Sequence, residues 1–471
     1  MKGIGAMAFT MEKRDPLIDR VKKVYIYIFL IYLMLSRIVP FVNLITIRIN
    51  GLVYNFLAIW GCIILAWDFI LNLYEFRSVE NIILLCFLMV CGISTILNAG
   101  YGYMDNIKTI VWTGIQFYIL FSSMHISKVE DLQQSMNIIM KTTTFIWFVS
   151  TIISLGQFIL QISYRMSFSE FDRRQGFVDS RLFGIYSDPN FAAITSLLVI
   201  IFSLFLFLHE YNRGVRFFYA TSIVLQLLYV ILSGSRTGMV EAAILAFIIP
   251  FLLIRNMLLK RWNRHYRLKS LTLALVISAI VLLIARYSTG PLIKLARIGE
   301  EFKAGVTGEE TIDEGITLSR EDVSEDNIGN NRFNIWKSAI QVSQNSRIFG
   351  VSPRNLVAYA SSNYPDSYIA KTGYETHNGY LAVFVGTGIT GTVVILCFIL
   401  YILYNIFRYI IVRRGKTLND YWIVCFGTSL TVAISALTLL DIFFVNTFSA
   451  AIFWLFTGYL LYLTKKGCIY E

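Results

Sequence analysis

The sequence predicts an all-α, polytopic integral membrane protein, and three observations carry that class. Of its 471 residues, 56% are hydrophobic and only 15% charged, a balance that suits a bilayer better than a soluble core. Apolar runs recur at about the 20-residue length that crosses hydrocarbon as a helix. The two-residue alternation of a membrane barrel is absent, and backbone in lipid must satisfy its own hydrogen bonds, so the runs read as helices.

By that length rule there are roughly twelve spans, near residues 24–41, 52–71, 81–98, 107–124, 141–162, 190–208, 216–233, 237–254, 270–287, 378–407, 421–440 and 443–463. They divide the chain into helices 1–9 (residues 1–287), a long loop (288–376) and helices 10–12 (377–471). The first span follows the charged stretch "MEKRDPLIDRVKK" and has no small-residue cleavage site after it, so it is expected to stay in the mature protein. Basic stretches such as "NRGVR", "RNMLLKRWNRHYRLK" and "RYIIVRRGK" fall on one side of this arrangement, which predicts cytoplasmic termini and an extracytoplasmic 288–376 loop. The net charge of +11 is then inner-face bias and attraction to lipid headgroups, not a nucleic-acid signal. The six cysteines lie in or beside apolar spans without CxxC or zinc-like spacing and read as packing residues.

Within the long loop, "EEFKAGVTGEETIDEGITLSREDVSEDNIGN" is acidic and poor in aromatics, and reads as a mobile lid or a solvated spacer. In "NNRFNIWKSAIQVSQ", Phe333, Trp336 and Ile340 recur at helical spacing, with Asn330 or Asn331 able to cap. A short amphipathic helix is expected, either lying at the outer membrane surface with Trp336 at headgroup level or packing the loop onto the bundle. A second outer loop, residues 163–189, carries Arg165, Arg173, Arg174 and Arg181 on the side that normally avoids basic residues. An anionic ligand explains them, and so do surface pairs with Glu170, Asp172 and Asp179.

Three polar motifs precede spans six, eight and ten: "YSDPN", "SGSRTG" and "ETHNG". All are helix starts on the outer face, where free N–H groups and the positive end of the helix dipole favour anions. Asp188 suits the N-cap and Pro189 the first helical position, which leaves Asn190 able to bond a ligand. Gly234 and Gly238 flank Arg236, whose fork matches phosphate oxygens, although Glu241 one turn on is an alternative partner. His377 is the outer-face histidine. A helix start disfavours its charged form and the nearby Glu375 favours it, so its pKa is open at this stage; if neutral, it can take a proton from a hydroxyl.

Together "SDPN", "SGSRTG", "NNRFNIWKSAIQVSQNSRIFGVSPRN" and "THNGYLAVFVGTGITG", in that order across residues 186–400, resemble the O-antigen ligase and O-antigen polymerase superfamily of bacterial polysaccharide assembly. The resemblance implies glycosyl transfer at the outer face of the bacterial cytoplasmic membrane, from a glycan on undecaprenyl pyrophosphate to a sugar hydroxyl of an acceptor glycan. Under it, Arg236 and Arg332 steady the pyrophosphate and His377 accepts the hydroxyl proton. Asn190, Asn378, Arg181, Arg174, Arg165 and Arg354 are candidate substrate contacts. No cofactor is expected, no divalent-metal motif is evident, and inversion at the anomeric carbon follows from direct attack. A polymerase, with a flippase and a chain-length regulator as possible partners, is preferred over a ligase, since no separate acceptor-binding domain stands out. A lipid-linked oligosaccharide flippase is the alternative of another class, but no internal repeat supports it.

Overall fold

The computed structural model describes residues 16–45, 47–72, 75–125, 129–167, 172–261, 265–307, 318 and 331–469. In chain order its first helices are α1 (Pro16–Leu35), α2 (Val39–Leu44), α3 (Ile47–Leu71), α4 (Val79–Leu97), α5 (Tyr103–Ile115) and α6 (Val129–Ile159). Then come strands β1 (Ser163–Ser167), β2 (Asp172–Val178) and β3 (Arg181–Gly184), followed by α7 (Pro189–His209), α8 (Arg213–Leu232), α9 (Arg236–Lys260), α10 (Tyr266–Tyr287) and α11 (Thr289–Thr307). Short helices α12 (Arg332–Val342), α13 (Leu356–Asn363) and α14 (Tyr368–Thr372) precede α15 (Gly379–Val412), α16 (Asp420–Ser435) and α17 (Phe448–Ile469).

The chain is an all-α membrane protein. Among the described residues, nine helices are long and apolar enough to cross a membrane: α3, α4, α6 to α10, α15 and α17. The remaining predicted spans fall on α1, on α5 with its π and 3-10 continuation to His125, and on α16. Two boundaries differ for identifiable reasons. α1 starts at Pro16 rather than residue 24, because Lys22 is buried against the Asp68 carboxylate of α3, a pairing that makes charge tolerable inside the bundle. α17 starts at Phe448 rather than 443, because Asp441 accepts the N–H groups of Phe443 and Phe444, both at 2.9 Å, and holds that stretch in a turn.

A small antiparallel sheet, β1-β2-β3, occupies the loop 163–189, which the sequence reading left without structure. Its tight turn is Asp179–Ser180, with φ of 52° and 57°. Two successive left-handed residues make the turn whose twist matches that of paired strands. In the long loop, the acidic stretch read as mobile is helical up to Thr307, as the end of α11. Most of the rest of that stretch, residues 308–317 and 319–330, lies outside the described residues.

The helix expected in the loop is α12, but another face packs. Ile335, Ala339 and Val342 are buried with Leu356 of α13, Ile369 of α14 and Val385 of α15, while Phe333 and Ile340 are 68% and 49% exposed. The loop thus owns a core, and α12 turns toward it; of the predicted stripe, Trp336 is anchored through its indole N–H to the Thr376 carbonyl at 3.0 Å. Asn331 stands at the N-cap position with φ 60° and makes no side-chain cap bond; Asn330 lies outside the described residues.

This module is locked into the bundle where α15 breaks. Gly388 has φ 66° and ψ −164°, interrupting the helix, and a Cβ there would sit 2.4 Å from the Ile348 carbonyl oxygen. The loop segment Arg347–Ser352 crosses this point with its own main chain: Val351 and Ser352 donate to Val385 and Gly386, and Ile389 and Thr390 donate back to Arg347 and Ile348, at 2.8–3.1 Å. An unsatisfied backbone group in an apolar layer costs several kcal/mol, so loop and helix complete each other. Buried polar side chains pin the same segment to α4 and α5. Asn98 donates to the Gly350 carbonyl at 3.0 Å, Ser352 to the Ser94 carbonyl at 2.8 Å, and Asn106 to the Asn355 side-chain oxygen at 2.7 Å.

Candidate functional site

The start of α15 is built tightly. The Asn378 side-chain oxygen accepts the N–H groups of Tyr380 and Leu381, each at 3.0 Å, so Asn378 is the N-cap. Gly379 donates to the Ala436 carbonyl at 2.8 Å, and a Cβ on it would come 2.8 Å from the Leu440 oxygen, so glycine lets α15 begin in contact with the chain after α16. His377, just before the cap, is forced into left-handed backbone with φ 47°.

Beside it lies a cavity of about 120 Å³ whose wall includes His377, Glu375, Arg354, Asp441, Ser352 and Phe191. Ser352, like His377, is a non-glycine residue with positive φ, 83°. Such conformations cost roughly 1–3 kcal/mol each and gather where geometry is held for function. The main-chain N–H of Arg354 is fixed by the Asn106 side chain at 2.9 Å, so the network that anchors the loop also sets the cavity wall.

The starts of α7 and α15 meet at this cavity, and the start of α9 packs beside them. Asp188 caps α7, accepting the N–H groups of Asn190 and Phe191 at 2.7 and 3.1 Å, and Phe191 lines the cavity. At α9, Ser235 caps Gly238, whose Cα side abuts Ala193 of α7. Thr237 meets Thr438 at 3.1 Å, next to the cavity-lining Leu439. Turn 436–447 therefore joins the start of α9 to that of α15.

Electrostatics distinguish the titrating groups. Desolvation in the recess, then the Arg332 guanidinium, push the His377 pKa below the ordinary histidine value, with Asp188 opposing. The carboxylate acting on His377 is thus Asp188. Glu375, which the sequence reading gave that part, is instead raised by burial, held back by Arg354 and raised further by Asp441. Asp441 is itself raised by burial against the pull of two backbone N–H groups and Arg354.

The predicted residues sort accordingly. His377 and Arg354 line the cavity and Arg332 acts on His377. Arg236 is exposed at the first position of α9, outside the cavity wall, and Glu241 is buried with Ser435 donating to it at 2.7 Å. Asn190 accepts from Arg181 at 2.7 Å, and Arg181, 9% exposed, also donates to the Ser233 carbonyl at 2.9 Å. These two residues therefore tie the sheet to the starts of α7 and α9. Arg174 and Arg165 pair with Asp179 at 2.6 and 3.8 Å, and the Arg173 side chain lies outside the described residues. Asn378 is occupied as the cap of α15.

Sequence reasoning missed Asp441 and Arg37. Asp441 stands in "LLDIFF", where an acid between apolar stretches is itself a functional signal. Arg37, just after α1, stacks over the Phe191 ring at 5.1 Å, and a basic residue on the predicted outer side could have flagged it.

Against known proteins, the family model described as O-antigen ligase matches residues 221–396, a stretch that contains two of the three helix starts, α12 to α14 and the break in α15. No curated protein matches the chain.

Proposed function

We propose, from the match of residues 221–396 to the O-antigen ligase family model, which supports the O-antigen ligase and polymerase superfamily, that the chain is a polymerase of surface polysaccharide, moving a glycan from undecaprenyl pyrophosphate to a sugar hydroxyl at the outer face of the bacterial cytoplasmic membrane. The observation that carries this reading is His377 in the wall of a cavity it shares with Arg354, where burial first and the Arg332 charge second favour the neutral imidazole. A neutral imidazole is a competent proton acceptor near neutral pH.

The step runs as follows. The acceptor hydroxyl gives its proton to a His377 ring nitrogen as its oxygen bonds to the donor's anomeric carbon from the face opposite the pyrophosphate. The carbon–oxygen bond to pyrophosphate breaks, its electron pair leaves with the phosphate, and the configuration inverts. Charge growing on the leaving group is met by the Arg332 and Arg354 guanidinium groups, the type of fixed stabilisation that contributes most in a dry site. Arg236, exposed at the first position of α9 and outside the cavity wall, is assigned to the phosphate farther from the reacting carbon.

A ligase reading has one observation in its favour, the description of the matching family. The test is His377→Ala and Arg332→Ala in cells, with extraction and sizing of lipid-linked glycans. Short repeats accumulating on the outer face support transfer. Accumulation on the cytoplasmic face supports a flippase, and unchanged polymer length overturns the site. Purified protein given a single-repeat donor alone separates the two transfer readings, because only a polymerase elongates it.

A further inference from the structure

The cavity at His377 is small for its task. At about 120 Å³ it falls below the roughly 300–1,000 Å³ of sites that enclose whole ligands, so it takes a reacting centre and leaves the rest of a glycan to be held elsewhere. A second, open cleft of about 470 Å³ lies between α12 and the turn joining α13 to α14. We propose that this cleft is a saccharide subsite that holds the acceptor chain behind its reacting sugar; the proposal rests on the glycan-transfer reading and names a binding site for it.

Its lining has the chemistry of sugar recognition. Asn334, Lys337 and Gln341 recur at i, i+3 and i+7 and so present one face of α12. Opposite stand Tyr364 and Tyr368, each offering a flat apolar ring and a hydroxyl. Among the described residues, the side chains of Asn334, Lys337, Gln341, Tyr364 and Tyr368 make no hydrogen bond or ion pair. Asn363 uses its amide N–H groups on the Tyr101 hydroxyl and the Tyr359 carbonyl, both at 3.0 Å, which leaves its oxygen to accept. Aliphatic side chains that would favour a lipid are lacking in this lining, and its one cation is Lys337, with Asp366 in the same lining and paired to Lys371 at 3.4 Å, rather than an arginine fork suited to phosphate. Hydroxyl-rich, weakly charged sugar rings match this set of donors and acceptors.

The position fits as well. α12 begins with Arg332, which acts on His377, while Asn334, Lys337 and Gln341 face away from that side. Cleft and cavity are then separated by one helix, about 10–12 Å across, and a chain of a few sugars bridges them over the first turn of α12. The walls are rigid: the Ser338 hydroxyl accepts the Ile369 N–H at 3.1 Å and Ser367 caps α14.

The experiment uses the full chain in lipid nanodiscs, titrated with lipid-free oligosaccharides released by mild acid from the source cell's own surface polysaccharide. Asn334→Ala/Gln341→Ala is expected to weaken binding at least tenfold. Gln341→Trp, which fills the cleft from an exposed position, should do the same with an unchanged melting temperature. In cells both should shorten the polymer without abolishing it. Wild-type affinity in both variants overturns the subsite. His377→Ala should bind these oligosaccharides as wild type does. If His377→Ala leaves polymer unchanged while the cleft variants lose binding, the catalytic reading falls and the subsite stands; abolished polymer in His377→Ala with undiminished binding in the cleft variants gives the reverse.

Discussion

The two arginine-bearing loops beside the candidate site put their arginines to different uses. In residues 163–184 the arginines are consumed within a β-sheet: Arg165 and Arg174 converge on Asp179, and Arg181 is buried against Ser233 and Asn190. In residues 331–376 they flank a recess, Arg354 in its wall and Arg332 acting on His377, with the nearby acids Glu375 and Asp441 shifted toward protonation by burial. A basic residue on the predicted outer side is therefore not by itself a ligand signal. What separates the loops is which carboxylates meet the guanidinium groups: Arg165 and Arg174 pair with the exposed Asp179 of a hairpin turn, whereas Arg354 shares a cavity wall with the buried acids Glu375 and Asp441.

Substitution can break this contrast. Arg354→Ala or Arg332→Ala should lower transfer by roughly 10²–10³-fold, the usual cost of one fixed donor at a developing charge, measured as single-turnover transfer from lipid-linked donor; losses below threefold would erase the distinction between the loops. Arg181→Ala should act on folding, removing roughly 1.5–3 kcal/mol for each of the charged hydrogen bonds to Ser233 and Asn190, visible as a lower melting temperature in detergent. Residual transfer per folded molecule should stay near wild type.

The acid limb of the rate profile sharpens the comparison further. His377 must be neutral to act, and its pKa is lowered, so transfer should persist below the ordinary histidine value of about 6.5 and fall as pH drops through the shifted one. Removing the Arg332 charge takes away a lowering influence and should move that limb upward. Asp188→Asn, which keeps a good N-cap, removes a raising influence and should move it downward. A limb unmoved by both would mean that His377 is not the titrating group. Smallest of all, Arg174→Ala, on a surface pair worth about 0–1 kcal/mol, should change transfer less than twofold; a tenfold loss would bring the sheet into the site.

The architecture was largely legible because apolar length reports helices directly, and the three helix starts because caps such as Asp188 and Asn378 have local signatures. The partners of the arginines were legible only within one loop: Asp179 was among the surface pairs the sequence offered. Asp188 and Asp441 are carboxylates whose neighbours are set by turns and helix junctions, and no spacing in the chain encodes the distance across a bundle. Of the two readings of α12, exposed Phe333 and Ile340 remove packing of that stripe on the bundle and are compatible with a stripe at the membrane surface. That the loop owns a core, which selects Ile335 and Val342, had no signal in the spacing. Sheet residues 163–184 carried a hairpin cue at Asp179–Ser180, but without the usual glycine it was weak.

The break at Gly388 also bears on biogenesis. A helix that emerges complete from the insertion machinery can be released into lipid at once, but α15 cannot, because its middle is finished only by Arg347–Ser352. Until that segment has folded back, the nascent helix keeps exposed peptide groups that lipid will not accept. The order of assembly is thereby constrained: α4 and α5, whose Ser94, Asn98 and Asn106 receive the loop, are made first, and the last spans close around a junction already seated. A chain interrupted between residues 352 and 388 would leave that junction open, a partly inserted product for quality-control proteases to remove.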